Sequence, residues 1–310
     1  MTTTTLPGAH KTPVPPNGPR HHGSSATSAA GRRRRERVAL LPTAALILGA
    51  LYTLAPIFWV LTSATKSPAD LFSTVPFVPG SDFLGNVADL SRYEGGRFWL
   101  WAANSLLYAG GGAALSTAVS AAAGYALARF RFRGRGTVFT VLLGAVMIPQ
   151  VALAMPQYFL VSGLGLTNTY WAVLLPSVIS PFGIYLACIY AQGSVPLSTL
   201  EAARMDGAGE FRTFRSVAAP MMLPGLVTVF MLQFVGIWNN FLLPFIMLSD
   251  EHKFPLTLGL YLMLNRGSSA PALYTLAITG ALLAIVPLVA LMMFLQRYWR
   301  VDLLSGGVKG

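Results

Sequence analysis

The sequence predicts an all-α, polytopic membrane protein with six transmembrane helices, and three observations carry that prediction. Of the 310 residues, 54% are hydrophobic and 11% are charged, where a soluble domain carries about 25% charged residues. Six apolar runs, at 39–61, 100–127, 137–161, 170–191, 217–243 and 272–296, are each long enough to span a membrane. A helix crosses the ~30 Å hydrocarbon layer with about 20 residues. Lastly, no Lys, Arg, Asp or Glu falls inside any of these runs.

Residues 1–37 are rich in Thr, Pro, Gly, Ser, Ala and Arg. Such a stretch buries too little apolar surface to order itself, so it reads as a flexible cytoplasmic N-terminal tail before a membrane domain over 38–310. Its hydrophobic run comes too late for an ordinary cleaved signal peptide, and the first span is expected to stay in the membrane. Orientation follows from the basic residues. With both termini in the cytoplasm, the inside segments carry 17 Lys and Arg and the outside loops 5, as the positive-inside rule requires. The net charge of +11 is thereby accounted for. Arg32–Arg35, Arg37 and the cluster Arg129, Arg131, Arg133 and Arg135 read as anchors beside anionic lipid headgroups. Nucleic acid is not expected as a partner, because no base-reading element accompanies the charge.

The second span carries two stripes of small residues at four-residue spacing. They are Gly110, Ala114, Ala118, Ala122 and Gly112, Ser116, Ser120, Gly124. Small residues at this spacing let helix backbones approach closely, either within the chain or at a subunit interface. Prolines recur in or beside the spans, among them Pro56, Pro149, Pro156, Pro176, Pro181, Pro220, Pro224, Pro244 and Pro287. Each removes a backbone donor and tends to bend a helix, which suits a cavity-forming transporter better than a simple anchor. The single cysteine, Cys188, lies in an apolar run and reads as a packing residue. Uncharged polar residues in or beside the spans are Asn104, Gln150, Gln157, Gln233, Asn239 and Asn240. They serve either interhelical hydrogen bonds or a path for a polar, uncharged solute. Gln150, Gln233, Asn239 and Asn240 are the candidates for the path. Trp238 is read either as a ring that stacks on the face of such a solute or as an aromatic packing near the membrane boundary.

Several chemistries have no motif here. The sequence has no GxxxxGK[ST] phosphate loop and no HExxH metal motif, and all four histidines lie outside the spans. No ionisable residue waits at membrane depth for a proton or sodium relay, the usual mark of a secondary transporter. Uphill transport by this chain would have to draw its free energy from a partner.

The connection between the fourth and fifth spans, about 193–217, departs from a simple polar loop. Pro196 blocks helix extension upstream, and Ser198 and Glu201 stand in capping-box register. Leu200, Ala202, Ala203, Arg204 and Met205 favour helix, and Gly207 suits the left-handed position that stops one. A rigid helix of about two turns is expected. It presents Leu197, Leu200, Ala203 and Met205 among Glu201, Arg204 and Asp206, either docking into a groove of another protein or lying on the bilayer or the chain's own loops.

Glu201-Ala202-Ala203, Asp206-Gly207-Ala208, Phe214 and the pair Pro220 and Pro224 resemble the EAA signature of permease subunits of ATP-binding cassette importers. The runs Phe234–Pro244 and Pro255–Leu260, with Asn104-Ser105-Leu106 and Gly124–Phe130 upstream, are similar to the carbohydrate-uptake, MalG-like branch. The resemblance covers nearly everything from residue 38 onward and implies a MetI-like permease architecture. It implies that Ser198, Glu201, Ala202, Ala203, Arg204, Asp206 and Gly207 form the coupling helix, seated in a cleft of an ATPase subunit. Glu201 would pair with a basic ATPase residue, and Gly207 would supply the turn. No cofactor is expected on this chain, and ATP and Mg would be used by the partner ATPases. The implied partners are a second permease subunit, two ATPase subunits, an extracytoplasmic solute-binding protein, membrane lipid and a sugar substrate. The alternatives are a permease for a non-sugar polar solute and a stand-alone secondary transporter.

Overall fold

The computed structural model describes residues 27–306, with side chains over 42–298, and every regular element among the described residues is helical. Helix α1 is Thr27–Ser63. Residues 1–26 of the expected tail lie outside the described residues, and the backbone of 27–37 is already helical. The chain divides into two units within α1, one ending at Pro56 and one starting at Ile57. In the first unit the Thr53 hydroxyl donates to the Gly49 and Ala50 carbonyls, both at 3.0 Å. It spends its polarity within its own helix, as a hydroxyl facing lipid must.

The second unit holds the rest. After the short helix α2 (Asp70–Ser73) and α3 (Phe83–Arg92) come α4 (Arg97–Leu106) and α5 (Gly112–Arg129). A π-helical turn, Leu107–Gly111, joins these two into one span of 33 residues. The loop before α3 is closed by side chains. Asn86 Nδ2 donates to the Ala64 and Lys66 carbonyls at 2.9 and 2.8 Å, and the buried Lys66 ammonium donates to the Val75 carbonyl at 2.7 Å.

The third span expected over 137–161, which carries Pro149 and Pro156, is broken. Helices α6 (Arg135–Val146) and α7 (Gln150–Gly163) meet at 107°. Pro149 sits at the break with an extended ψ of 130°, since proline lacks the N–H that would carry the helix through. The fourth span is interrupted too, at Ile179–Ser180, between α8 (Tyr170–Val178) and α9 (Pro181–Ser194). Next come α10 (Leu197–Met205) and α11 (Glu210–Thr213), a π-helical turn at Phe214–Ala218, and α12 (Ala219–Trp238). The last helices are α13 (Leu242–Met247), α14 (Leu256–Arg266) and α15 (Ala272–Gly306). Five helical stretches are long and apolar enough to cross a membrane, and the bent pair α6–α7 makes six when taken as one span.

The two small-residue stripes of α5 separate cleanly. Gly112, Ser116, Ser120 and Gly124 are all buried, and α5 packs along α9. A Cβ at Gly124 would lie 2.7 Å from both Ala187 Cβ and the Cys188 backbone nitrogen. No larger residue fits that crossing. Cys188 is itself buried there, in its expected packing role. The other stripe stays open, with Ala114, Ala118 and Ala122 exposed.

A polar stripe on α4 holds the far end of the bundle together. Trp101 Nε1 donates to the Glu251 carbonyl (2.9 Å), and Asn104 Nδ2 to the carbonyls of His252 (2.8 Å) and Phe254 (3.0 Å). The Tyr108 hydroxyl donates to the Lys253 carbonyl (2.9 Å), and Ser105 Oγ accepts from the Leu256 N–H (2.8 Å). The spacing 101, 104, 105, 108 is one helix face. It satisfies the backbone of an irregular segment that has no ladder of its own. Around this segment Arg266 pairs with Glu251 (2.8 Å) and Glu94 (3.1 Å), and Arg97 lies 3.7 Å from both carboxylates. Within it, Lys253 and then the His252 N–H hold the Asp250 carboxyl below the usual carboxylate range.

Candidate functional site

Helix α10 is nine residues long, about 13 Å at 1.5 Å per residue, and forms where the sequence places it. Its start differs from expectation. The helix begins at Leu197 with Pro196 at the cap, and no side chain caps it, so the Ser198–Glu201 capping box does not form. Pro196, extended at ψ 145°, sets the boundary two residues earlier and leaves Ser198 inside the first turn. Its end matches the sequence. Gly207 has φ +76° and accepts the left-handed turn that a Cβ disfavours. The Gly207 N–H donates to the Arg204 carbonyl and the Ala208 N–H to the Ala203 carbonyl, both at 3.0 Å. This pair of bonds is the Schellman closure.

The expected surface of α10 needs one correction. Leu200 is buried at 1% exposure, not presented outward. It inserts among Tyr125 of α5, Ala187 and Ala191 of α9, Val195, and Ala218 and Met222 at the start of the fifth span. Through this cluster the helix is joined to three spans. The outward face carries Leu197, Ser198, Glu201, Ala202, Met205 and Asp206, all exposed, while Ala203 is half-buried. Leu197, Glu201 and Met205 recur every four residues and form a row along that face. Arg204 does not join the row. Its Nε donates to Glu210 Oε1 of α11 at 2.9 Å, and that bond raises the guanidinium pKa above its ordinary value. The pair braces the turn through Gly207. Arg129 braces the neighbouring segment, donating to the Ala191 carbonyl (2.5 Å) and the Gln192 carbonyl (3.1 Å) at the end of α9. A cation there also meets the negative end of the helix dipole.

The candidate path residues scatter. Gln150 is exposed at the first turn of α7, beyond the Pro149 break. Asn239 is exposed and donates back to the Val235 carbonyl at 2.9 Å, closing α12. Asn240 Oδ1 caps α13 by accepting from the Leu243 N–H at 3.2 Å, and its carbonyl accepts from Thr257 Oγ1 at 3.0 Å. Trp238 is 4% exposed and stacks on Phe234, ring centroids 5.7 Å apart, within the main apolar core. Of its two readings, the structure places the ring in packing. Asn104 is occupied by the 252–254 backbone. Asn104 Oδ1 also accepts from the Tyr170 hydroxyl of α8 at 3.3 Å, and Gln233 reaches the fourth span as well, where Nε2 donates to Ser180 Oγ at 2.7 Å. Ser180 was not singled out from the sequence, although a serine directly before a proline is a helix-start signal. Nor was the inward direction of Leu200, which no periodicity fixes in a two-turn helix.

Comparison with known proteins places these features in a family. Residues 117–300 match the family described as binding-protein-dependent transport system inner membrane component. The chain is 33% identical over 278 residues to the arabinooligosaccharides transport system permease protein AraQ of Bacillus subtilis (strain 168), covering 88% of this chain and 96% of that protein. It is 33% identical over 227 residues to the diacetylchitobiose uptake system permease protein NgcG of Streptomyces coelicolor, covering 72% and 74%. In fold it resembles a chain from the crystal structure of a bacterial ABC transporter that imports the acidic polysaccharide alginate. The TM-score is 0.74 at 24% identity, over 86% of this chain and 98% of that one.

Proposed function

The chain belongs to the family of binding-protein-dependent transport system inner membrane components, and from that premise we propose that it is the permease subunit of an ATP-binding cassette importer that translocates a sugar. Permeases named for oligosaccharide transport, alike over most of their length, carry the sugar reading. The single structural observation in its favour is α10. This short helix stands between two spans with an exposed Leu197–Glu201–Met205 row and one buried anchor, Leu200.

In this reading both termini and α10 are cytoplasmic, supported by the excess of basic residues on that side. The segment 198–207 docks in a cleft of an ATPase subunit, with Glu201 meeting a basic residue there. ATP and Mg are used by two such partner subunits, because this sequence carries no phosphate loop. A second permease faces the open Ala114–Ala118–Ala122 stripe of α5 and leaves the groove between α5 and α12 free between the two subunits. An extracytoplasmic binding protein delivers the solute to the opposite end. ATP-driven closure pushes α10, and Leu200 passes the displacement to α5, α9 and the start of the fifth span together. Solute delivery outside and ATP closure inside then favour the same state, as linkage requires.

Reconstituting the complete importer in proteoliposomes tests the reading. Arabino-oligosaccharide uptake that needs ATP, the ATPase pair and the binding protein is expected. Uptake that proceeds without the ATPases refutes it.

A further inference from the structure

The fourth span comes apart at Ile179–Ser180, ten residues in from Tyr170. That depth is ~15 Å at 1.5 Å per residue, near the middle of a ~30 Å layer. Irregular backbone at such depth is tolerated where it is buried in protein or lines a wet cavity. Here it carries a specific set of polar valences. Ser180 Oγ accepts from the Gly183 N–H at 3.0 Å and from Gln233 Nε2 at 2.7 Å. With both lone pairs engaged, its hydroxyl proton is left to donate outward. Among the described residues that proton has no acceptor, and Gln233 Oε1 has no donor. Both side chains are half-buried, open on one side.

Two further observations place this pair on a route. The Ser120 hydroxyl of α5 is fully buried and without a partner. It lies 2.6 Å from where a Cβ on Gly183 would sit, and Ser180 Oγ lies 3.3 Å from the same point. Three spans therefore bring hydroxyl and amide groups to one spot in an apolar solvent, where unmet polar groups are costly. Gln233 also stands one turn beyond Phe230 on α12. Phe230 lines an open groove of about 420 Å³ between α5 and α12. That volume falls within the range of about 300–1,000 Å³ typical of ligand sites.

We propose that Ser180 and Gln233 form a hydroxyl-binding point for the translocated solute at the head of the α5–α12 groove, selective for neutral polyhydroxylated molecules. The inference rests on the reading of the chain as a solute-translocating permease. A sugar hydroxyl both accepts and donates, so one such group accepts a hydrogen bond from the Ser180 hydroxyl and donates one to Gln233 Oε1. The apolar groove below offers Phe230 to the C–H face of a sugar ring. A fully ionised phosphate or carboxylate has no proton for Oε1 and meets no Lys or Arg within the six apolar runs.

The test is uptake kinetics of the complete importer in proteoliposomes with labelled arabinotriose, lactose and, as a charged control, glycerol 3-phosphate. Gln233→Met removes the amide at similar volume, and Ser180→Ala removes the hydroxyl. For the transported sugar, Gln233→Met is expected to raise KM about tenfold, the factor of one lost hydrogen bond of about 1.4 kcal/mol, with a much smaller loss of maximal rate. Ser180→Ala shifts KM in the same direction. A mere interhelical staple would lower assembly or maximal rate and leave KM in place, and that result overturns the proposal. Wild-type complex that carries only glycerol 3-phosphate overturns the neutral-solute assignment. Wild-type complex that carries none of the three removes the sugar reading itself. Sugar uptake with unchanged KM in Gln233→Met removes this assignment alone.

Discussion

Truncating Leu200 is expected to uncouple ATP use from transport. Three ties hold α10 to the body of the protein: the buried Leu200 side chain, the Arg204–Glu210 ion pair and the Schellman turn at Gly207. The ion pair is solvent-exposed at both ends, and such pairs contribute about 0–1 kcal/mol. The turn fixes direction along the chain and does not clamp the helix to the spans. Leu200, at 1% exposure among seven apolar cluster members including itself, dominates. A buried Leu→Ala change costs about 2–5 kcal/mol. Even the lower bound shifts the docked-to-undocked ratio of α10 about thirtyfold. If α10 is the proposed ATPase-docking helix, Leu200→Ala leaves the exposed Leu197–Glu201–Met205 row intact, and co-purification of the ATPases is expected to be preserved. The stroke no longer reaches α5, α9 and the fifth span together. The measurement is solute taken up per ATP hydrolysed in proteoliposomes, with amide exchange across 197–208 as a direct report of undocking. The ratio is expected to fall at least tenfold, while Leu200→Met, which refills the site with a flexible apolar chain, restores most of it. An unchanged ratio alongside accelerated exchange would refute the idea that this side chain carries the motion.

Gly207→Pro forces φ near −65° where +76° is needed and deletes the N–H bonded to Arg204. Uptake is expected to be abolished in protein that still inserts, measured by transport against membrane-extracted yield. Glu201 is exposed, and Glu201→Lys should lower ATPase recovery in pull-downs, with the deficit shrinking as salt rises. Equal recovery at low and high salt argues against an ionic contact. Asn104→Leu strips the His252 and Phe254 carbonyls of their donor in a buried site, costing about 2 kcal/mol or more. Faster amide exchange over 251–256 and a lower Tm are the expected readings. The Asp250 carboxyl lies below its ordinary pKa. Its contribution to the same segment is therefore present above the ordinary carboxylate range and is lost as pH falls through the depressed value. Protection over 249–254, taken relative to the intrinsic exchange rate at each pH, should hold through about pH 5 and fall in stronger acid.

The amino-acid sequence by itself determined the solvent of this protein and its periodic elements. Long ion-free apolar runs have no stable home but lipid, and their number follows from bilayer thickness. It also determined where α10 stops, because a left-handed turn needs glycine, and Gly207 adopts it. Tertiary structure decided what each side chain faces. Two small-residue stripes on α5 look alike in sequence, yet one is sealed against α8, α9 and α12 and the other is open, because packing selects a face that composition leaves free. The Ser198–Glu201 pair had capping-box spacing and lost to Pro196, which starts the helix two residues sooner. Trp238 and Asn104 carried ligand-like chemistry and were absorbed by neighbours more than a hundred residues away or one turn back. Ser180 gained its meaning only when the break in one span met Gln233 from another. Contacts between distant segments depend on how helices cross, and no local pattern encodes a crossing.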